Sequence, residues 1–209
     1  MDFINPAGRQ RMILGISGAT GIVYGLRLLE VLRKLDVETH LVVTKAGERT
    51  LAYETDLAAR ELRQLADYVY PDADIGAAIA SGSFRAVGMI VAPCSVNSLS
   101  AVAHGATDNL LTRAADVCLK ERRRLVLLFR EAPLHMGHIR AMAAATENGA
   151  IVFPPVPAFY DRPASLHNII DHTVGRVLDL FGFEAGLVRR WTGRPPAATR
   201  GLVTEAVGQ

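Results

Sequence analysis

Short apolar runs alternate along the chain with segments of helical period. Residues 11–17 (RMILGIS) form an apolar run that ends in the turn Gly18-Ala19-Thr20-Gly21, which predicts a buried strand feeding a tight turn. Residues 22–34 carry Leu26, Leu28, Leu29 and Leu32 on one stripe, the pattern of an amphipathic helix. The same reading predicts strands over 37–44, 87–93, 124–130 and 150–153. It predicts helices over 45–55, within 95–120, and over 137–148 and 165–181. Residues 58–80 show only one short helix followed by the polar stretch Pro71-Asp72-Ala73-Asp74. Five strands alternating with helices predict an α/β fold, a parallel sheet covered on both faces in three layers. In such sheets ligands bind beyond the carboxyl ends of the strands, so the residues just after each strand are the ones to inspect.

Length and composition narrow the class. The chain has 209 residues, 50% of them hydrophobic, which suits one domain with a sizeable core. Residues 1–10 read as a flexible leader, 11–191 as a single domain, and 192–209, rich in Gly, Pro, Ala and Thr, as a mobile tail. A net charge of +2 is too small for a nucleic-acid partner. The longest apolar runs, 89–92 and 125–129, are strand-sized, and the first ten residues lack the pattern of a signal peptide. Cys94 and Cys118 stand in no metal or CxxC spacing. The expectation is a soluble cytoplasmic protein with no membrane partner.

The chemistry then concentrates at three strand ends. In Gly15-Ile16-Ser17-Gly18-Ala19-Thr20-Gly21 the glycines allow a phosphate close approach to the backbone, and the following helix offers free N–H groups; a tight turn without a ligand is the competing reading. Neither a GxGxxG nor a P-loop spacing is present, so a mononucleotide phosphate fits better than a dinucleotide. The run Pro93-Cys94-Ser95-Val96-Asn97-Ser98-Leu99-Ser100 supplies hydroxyls before a second helix, as cap residues or as part of an anion cradle. Cys94 has no histidine beside it in sequence and reads as a small buried residue. Arg130-Glu131 follows a very apolar strand, where a charged pair is costly unless paired or functional. Glu54 ends a helix, where an acid opposes the dipole and lacks a stability rationale. Lys120 and Arg122 to Arg124 end another helix; Arg122, Arg123 and Arg124 read as solvated cations, a reading that suits Lys120 less, since it has Asp116 as a partner at helical spacing. His135 and His138 suit surface or capping roles. They and the pair His167 and His172 form no ligand set, and no metal is assigned.

In order along the chain, GISGATG, TKAG, YETD, PCSVNSLS, RAADVCLKERR, REAP, PAFYDRP, GRVLDLFG and RRW resemble the UbiX-type flavin prenyltransferases, and most of all the small B subunits of hydroxybenzoate and phenolic-acid decarboxylase systems. The resemblance runs from Met12 to Trp191. It implies a flavodoxin-like or Rossmann-like subunit, usually in a dodecamer, with FMN between subunits. It further implies transfer of a dimethylallyl group from dimethylallyl phosphate to reduced FMN, and delivery of the product to a UbiD-type decarboxylase. By motif, Gly18, Ala19, Thr20, Thr44, Ser95, Val96, Asn97, Ser98 and Arg130 would bind FMN. Lys120, Arg130, Tyr160 and Arg176 would hold the prenyl phosphate with Arg113 nearby, Glu54 and Glu131 would be acid/base residues, and Trp191 an aromatic wall. The residue types suit that chemistry, because ionising an allylic phosphate calls for cations on the leaving group and aromatic surface beside the allyl cation. For Tyr160 and Trp191, ordinary packing is the competing reading.

Three features depart from the family pattern: Thr20 where Ser is common, Arg140-Ala141 where an acid and an amide are common, and Asn97, which likens the segment to flavin-dependent cysteine decarboxylases. Two other functions are therefore weighed beside the first. One is oxidative decarboxylation of a peptidyl or pantothenoyl cysteine, whose PxMNxxMW segment this chain lacks; the other is a non-catalytic FMN carrier or assembly subunit of a decarboxylase.

Overall fold

A computed structural model of the chain describes residues 8–191 and 193. Six strands form one parallel sheet: β1 (Arg11–Ile16), β2 (Glu38–Val43), β3 (Tyr68–Pro71), β4 (Gly88–Cys94), β5 (Arg124–Phe129) and β6 (Ile151–Val152). Their order across the sheet is β3-β2-β1-β4-β5-β6, and every neighbouring pair is parallel. Helices α1 (Ile22–Lys34), α2 (Lys45–Glu54), α3 (Ala59–Arg63), α4 (Val96–His104), α5 (Leu110–Lys120), α6 (Met136–Glu147) and α7 (Leu166–Asp179) supply the connections and cover. The alternation predicted this parallel sheet covered on both faces, and the flavodoxin-like or Rossmann-like architecture is the one the family resemblance implied.

The sheet runs outward in one direction through β2 and β3 and in the other through β4, β5 and β6. Beyond the carboxyl ends of β1 and β4 the connections diverge, leaving a crevice of the kind that holds ligands in open α/β sheets. Two apolar layers fix this geometry. On one face Leu28, Leu29 and Leu32 of α1 pack with Val174, Val177 and Leu178 of α7 over Met12, Leu14 and Ile90. On the other, Leu99, Leu111, Ala114 and Ala145 of α4, α5 and α6 cover Ile13, Met89 and Leu127. Leu26, placed on the α1 stripe by the sequence, is only half-buried. Gly25 faces the sheet, where a Cβ would sit 2.5 Å from the Ala92 carbonyl oxygen, so a larger residue would push α1 off β4.

The sixth strand, β3, was not predicted. It is four residues long, lies on the sheet edge, alternates weakly and ends in Pro71, whose missing N–H is tolerated only at such an edge. The expected leader is also shorter than predicted. Arg9 pairs with Asp36 at 2.9 Å and Asp67 at 3.0 Å, and the Gln10 carbonyl accepts from the Glu38 N–H, so the chain is tied to the sheet from there on. The rest of the leader call (1–7) and most of the tail call (192 and 194–209) fall outside the described residues. Among the described residues, no helix is long and apolar enough to cross a membrane.

Candidate active site

The crevice is built by two strand ends clamped together. The Ser17 hydroxyl, 1% exposed, donates to the Pro93 carbonyl (2.9 Å) and accepts from the Ser95 N–H (2.8 Å), joining the end of β1 to the end of β4. Ser17 is therefore spent on the scaffold. The chain leaves β1 through Gly18-Ala19-Thr20 and enters α1 at Gly21, whose φ of 101° favours glycine. Thr44 caps α2 by accepting from the Gly47 N–H, and Ser95 caps α4 by accepting from the Ser98 N–H. The first N–H groups of α4, at Val96 and Asn97, lie in the first turn, where a helix supplies no carbonyl partner.

These segments enclose a cavity of about 450 Å³ lined by Gly18, Ala19, Thr20, Thr44, Ala46, Ser95, Val96, Asn97, Ser98, Asn109, Arg130 and Glu131. The nine residues singled out for a cofactor thus share one cavity with Glu131. Ala46 and Asn109 also line it and carried no signal in the sequence; Asn109 is the cap of α5, with its Oδ1 accepting from the Thr112 N–H. Arg130 and Glu131 both stay exposed in the single chain, so the desolvation expected at that strand end is not realised within one subunit.

Glu54 does not line this cavity. It reaches from the end of α2 to the start of α1, where its carboxylate accepts from the N–H of Gly21 (2.9 and 3.1 Å) and Ile22 (2.9 Å). The acid that seemed misplaced at one helix C-terminus is the N-terminal cap of another, a stability rationale that the sequence distance concealed.

A second cavity of about 580 Å³ opens between α7 and the segment after β6, lined by Phe153, Val156, Tyr160, His172, Thr173, Arg176 and Trp191. Tyr160, Arg176 and Trp191 therefore come together as the sequence proposed. The Tyr160 ring meets Trp191 edge-on at 5.8 Å, and its hydroxyl lies 2.9 Å from His172 Nε2. Tyr24 of α1 lines neither cavity but interacts with one residue of each. Burial raises its phenol pKa, while the Thr173 hydroxyl of the second cavity and the Arg130 guanidinium of the first pull it down. The two charged regions are therefore neighbours across α1.

Arg113 and Lys120 lie elsewhere. Arg113 pairs with Asp116 at 2.8 Å, and Lys120 pairs with Glu121, so the predicted Lys120–Asp116 pair does not form. Helix α5 starts beside the first cavity at Asn109 and runs eleven residues away from it, which carries Lys120 about 16 Å toward the amino ends of the strands, close to the start of β5. Neither cation reaches either cavity of its own chain. Of the cations that follow, Arg123 is not a solvated helix end: it donates to the Phe84 and Gly82 carbonyls and ties down the loop before β4. Cys94 and Cys118 are fully buried, and burial pushes each thiol up to about 12, which suits packing and not nucleophilic attack. His135 caps α6 by accepting from the Gly137 N–H.

Residues 5–177 match the model of the Flavoprotein family. The flavin prenyltransferase UbiX of Thauera aromatica is 56% identical over 183 residues, covering 88% of this chain and 94% of the relative. The chain belongs to the UbiX-type flavin prenyltransferase family. Among solved members, AnUbiX (PadA1), crystallised in complex with FMN and dimethylallyl pyrophosphate, superposes with a TM-score of 0.87 at 51% identity over 89% of this chain and 99% of that one. A dodecameric FMN-dependent UbiX-like decarboxylase from Escherichia coli O157:H7 gives 0.86 at 47% identity over 88% and 100%. The peptidyl-cysteine decarboxylase EpiD, at 16% identity and a TM-score of 0.57 over 72% and 83%, shares the fold alone. The family membership rests on the overall match, so Asn97 does not move the chain toward the cysteine decarboxylases.

Proposed function

We propose that this protein transfers a dimethylallyl group from dimethylallyl phosphate to reduced FMN, makes prenylated FMN for a UbiD-type decarboxylase, and works as a homo-oligomer of the dodecameric kind without a metal. The observation that carries the reading is the adjacency of the two cavities. A cradle of hydroxyls and helix N-termini and a chamber with a cation and aromatic walls flank α1, whose Tyr24 feels Arg130 of the one and Thr173 of the other.

The donor set of the first cavity fits FMN. The hydroxyls of Thr20 and Ser95, the amide of Asn97 and the N–H groups that open α4 suit a phosphate monoester, and the cavity volume is in the range of small cofactor sites. Reduced FMN, once bound, supplies the nucleophilic N5 and C6 that accept the allyl group. Arg130 lies where it neutralises charge between the two cavities. Glu131, exposed on the wall of the first, is placed as the base that takes the proton from the ring carbon. Tyr160 and Arg176 bind the phosphate of the donor, and Trp191 with the Tyr160 ring shields the allyl cation from water. Arg113 and Lys120 act on the site of a neighbouring subunit, since α5 carries them away from their own.

Mass spectrometry of the flavin after incubation with reduced FMN and dimethylallyl monophosphate tests the proposal. The expected product is FMN heavier by one dimethylallyl unit. A bound but unchanged flavin would instead support the carrier reading.

A further inference from the structure

The second cavity contains a histidine with no assigned role. His172 stands four residues before Arg176 on α7, so both side chains rise from one face of the helix into the same chamber. Its position is fixed from behind: the neighbouring Asp171 accepts from Arg27 Nε at 2.7 Å and Nη2 at 3.3 Å, which pins this turn of α7 to α1. From there His172 Nε2 reaches the Tyr160 hydroxyl at 2.9 Å, and the two rings meet edge-on at 5.6 Å and 79°.

We infer that His172 is a positioning residue for the prenyl phosphate, acting by donating its Nε2 proton to the Tyr160 hydroxyl oxygen. The inference rests on the reading of Tyr160 as a phosphate ligand and follows from proton counting. A phenol carries one proton and two lone pairs. Were that proton given to a bare His172 Nε2, only lone pairs would face the anionic phosphate, and Tyr160 would repel it. With the proton on Nε2, the histidine donates, the hydroxyl accepts, and the phenol proton is free to point at the phosphate. Trp191, edge-on at 5.8 Å and 75° to the Tyr160 ring, limits the ring itself, so the histidine sets the hydroxyl and the tryptophan sets the plane. A relay of this form also strengthens the terminal bond, because each hydrogen bond polarises the next.

The test is a double-mutant cycle on the full-length protein with dimethylallyl monophosphate, reading KM for the donor beside the dissociation constant for FMN. His172→Phe keeps an aromatic edge against Tyr160 and removes the donor; His172→Gln keeps an amide N–H at a similar reach. The expected result is a KM about tenfold higher for His172→Phe, the loss of roughly one modest hydrogen bond. FMN affinity should stay unchanged, and His172→Gln should recover most of the loss. In a Tyr160→Phe background, His172→Phe should change KM less than about twofold, since no hydroxyl remains to be oriented. The inference is overturned if His172→Phe leaves KM unchanged while Tyr160→Phe raises it. It is equally overturned if His172→Phe costs the same with and without the hydroxyl, which marks ordinary packing. A Tyr160→Phe variant with unchanged KM removes the phosphate-ligand reading itself, and the inference with it.

Discussion

The Glu54 carboxylate, at the end of α2, closes the start of α1 by accepting from the N–H groups of Gly21 and Ile22. The contact joins two helices that flank the Gly18–Gly21 turn, so the turn that lines the first cavity is held at its far end by a charge-assisted cap. Glu54 thereby affects the cofactor cradle without lining it.

Glu54→Ala should therefore lower stability by about 1 kcal/mol, the usual cost of losing an N-terminal cap, and weaken FMN binding as the turn loosens. Urea unfolding of the apoprotein and fluorescence titration with FMN measure the two effects. Glu54→Gln retains one acceptor oxygen and should lose less of both. Full stability in the alanine variant would mean that the cap does not hold in solution.

Glu131→Gln should slow prenyl transfer by about 10²–10⁴-fold and leave FMN affinity close to unchanged, the signature of a group that moves a proton. The side chain lies exposed on the cavity wall, where it accepts from the N–H of the next residue, Ala132, so an amide can replace it without unfolding the strand end. Single-turnover absorbance of the reduced flavin follows the rate. An unchanged rate would hand the proton to another acceptor, such as the departing phosphate.

Most of this architecture was legible in the sequence, and the exceptions have physical causes. Apolar runs located β1, β2, β4 and β5 because both faces of those strands are buried. β3 escaped because a short edge strand buries too little to impose a pattern. The first cavity was legible because its residues sit directly after strands, where chain order and spatial order agree. Glu54 was legible as an anomaly but not as a cap, because its partners lie 32 and 33 residues earlier. His172 was legible only as a metal-ligand candidate and Tyr24 not at all, because both act through residues distant in sequence, and no spacing rule covers such pairs.

A buried cluster at the opposite edge of the sheet predicts acid sensitivity. Burial lowers the His40 pKa, while the Glu38 carboxylate, 2.9 Å from Nε2, and Asp67 oppose the shift and Arg11 adds to it; Tyr68, Tyr70 and Phe84 pack around the ring. A histidine whose folded pKa lies below its unfolded value adds stability above about pH 6.5, and that stability is lost as pH falls below it. Urea midpoints should therefore drop between about pH 7 and pH 5, and drop less in His40→Gln, which no longer titrates. Parallel pH curves for the two proteins would exclude His40 as the source.

The last prediction concerns how one site draws on two chains. Glu131 lines the first cavity, whereas Lys120 ends a helix that leads away from it and, among the described residues, pairs with Glu121 of its own chain. A lysine that acts on the prenyl phosphate must then enter the site of a second subunit. Glu131→Gln and Lys120→Ala should each be nearly inactive alone. When the two variants are unfolded together and refolded as mixed oligomers, a site works only if its own chain retains Glu131 and the contributing chain retains Lys120. Each condition is met about half the time, so about a quarter of the sites should recover in a closed symmetric assembly. Prenyl transfer by the mixed oligomers, compared with the same variants refolded separately and then combined, reads this out. Recovery only after joint refolding supports the shared site. No recovery, from oligomers of native size, would confine both residues to one chain, and a Lys120→Ala variant that is active alone would remove Lys120 from the chemistry.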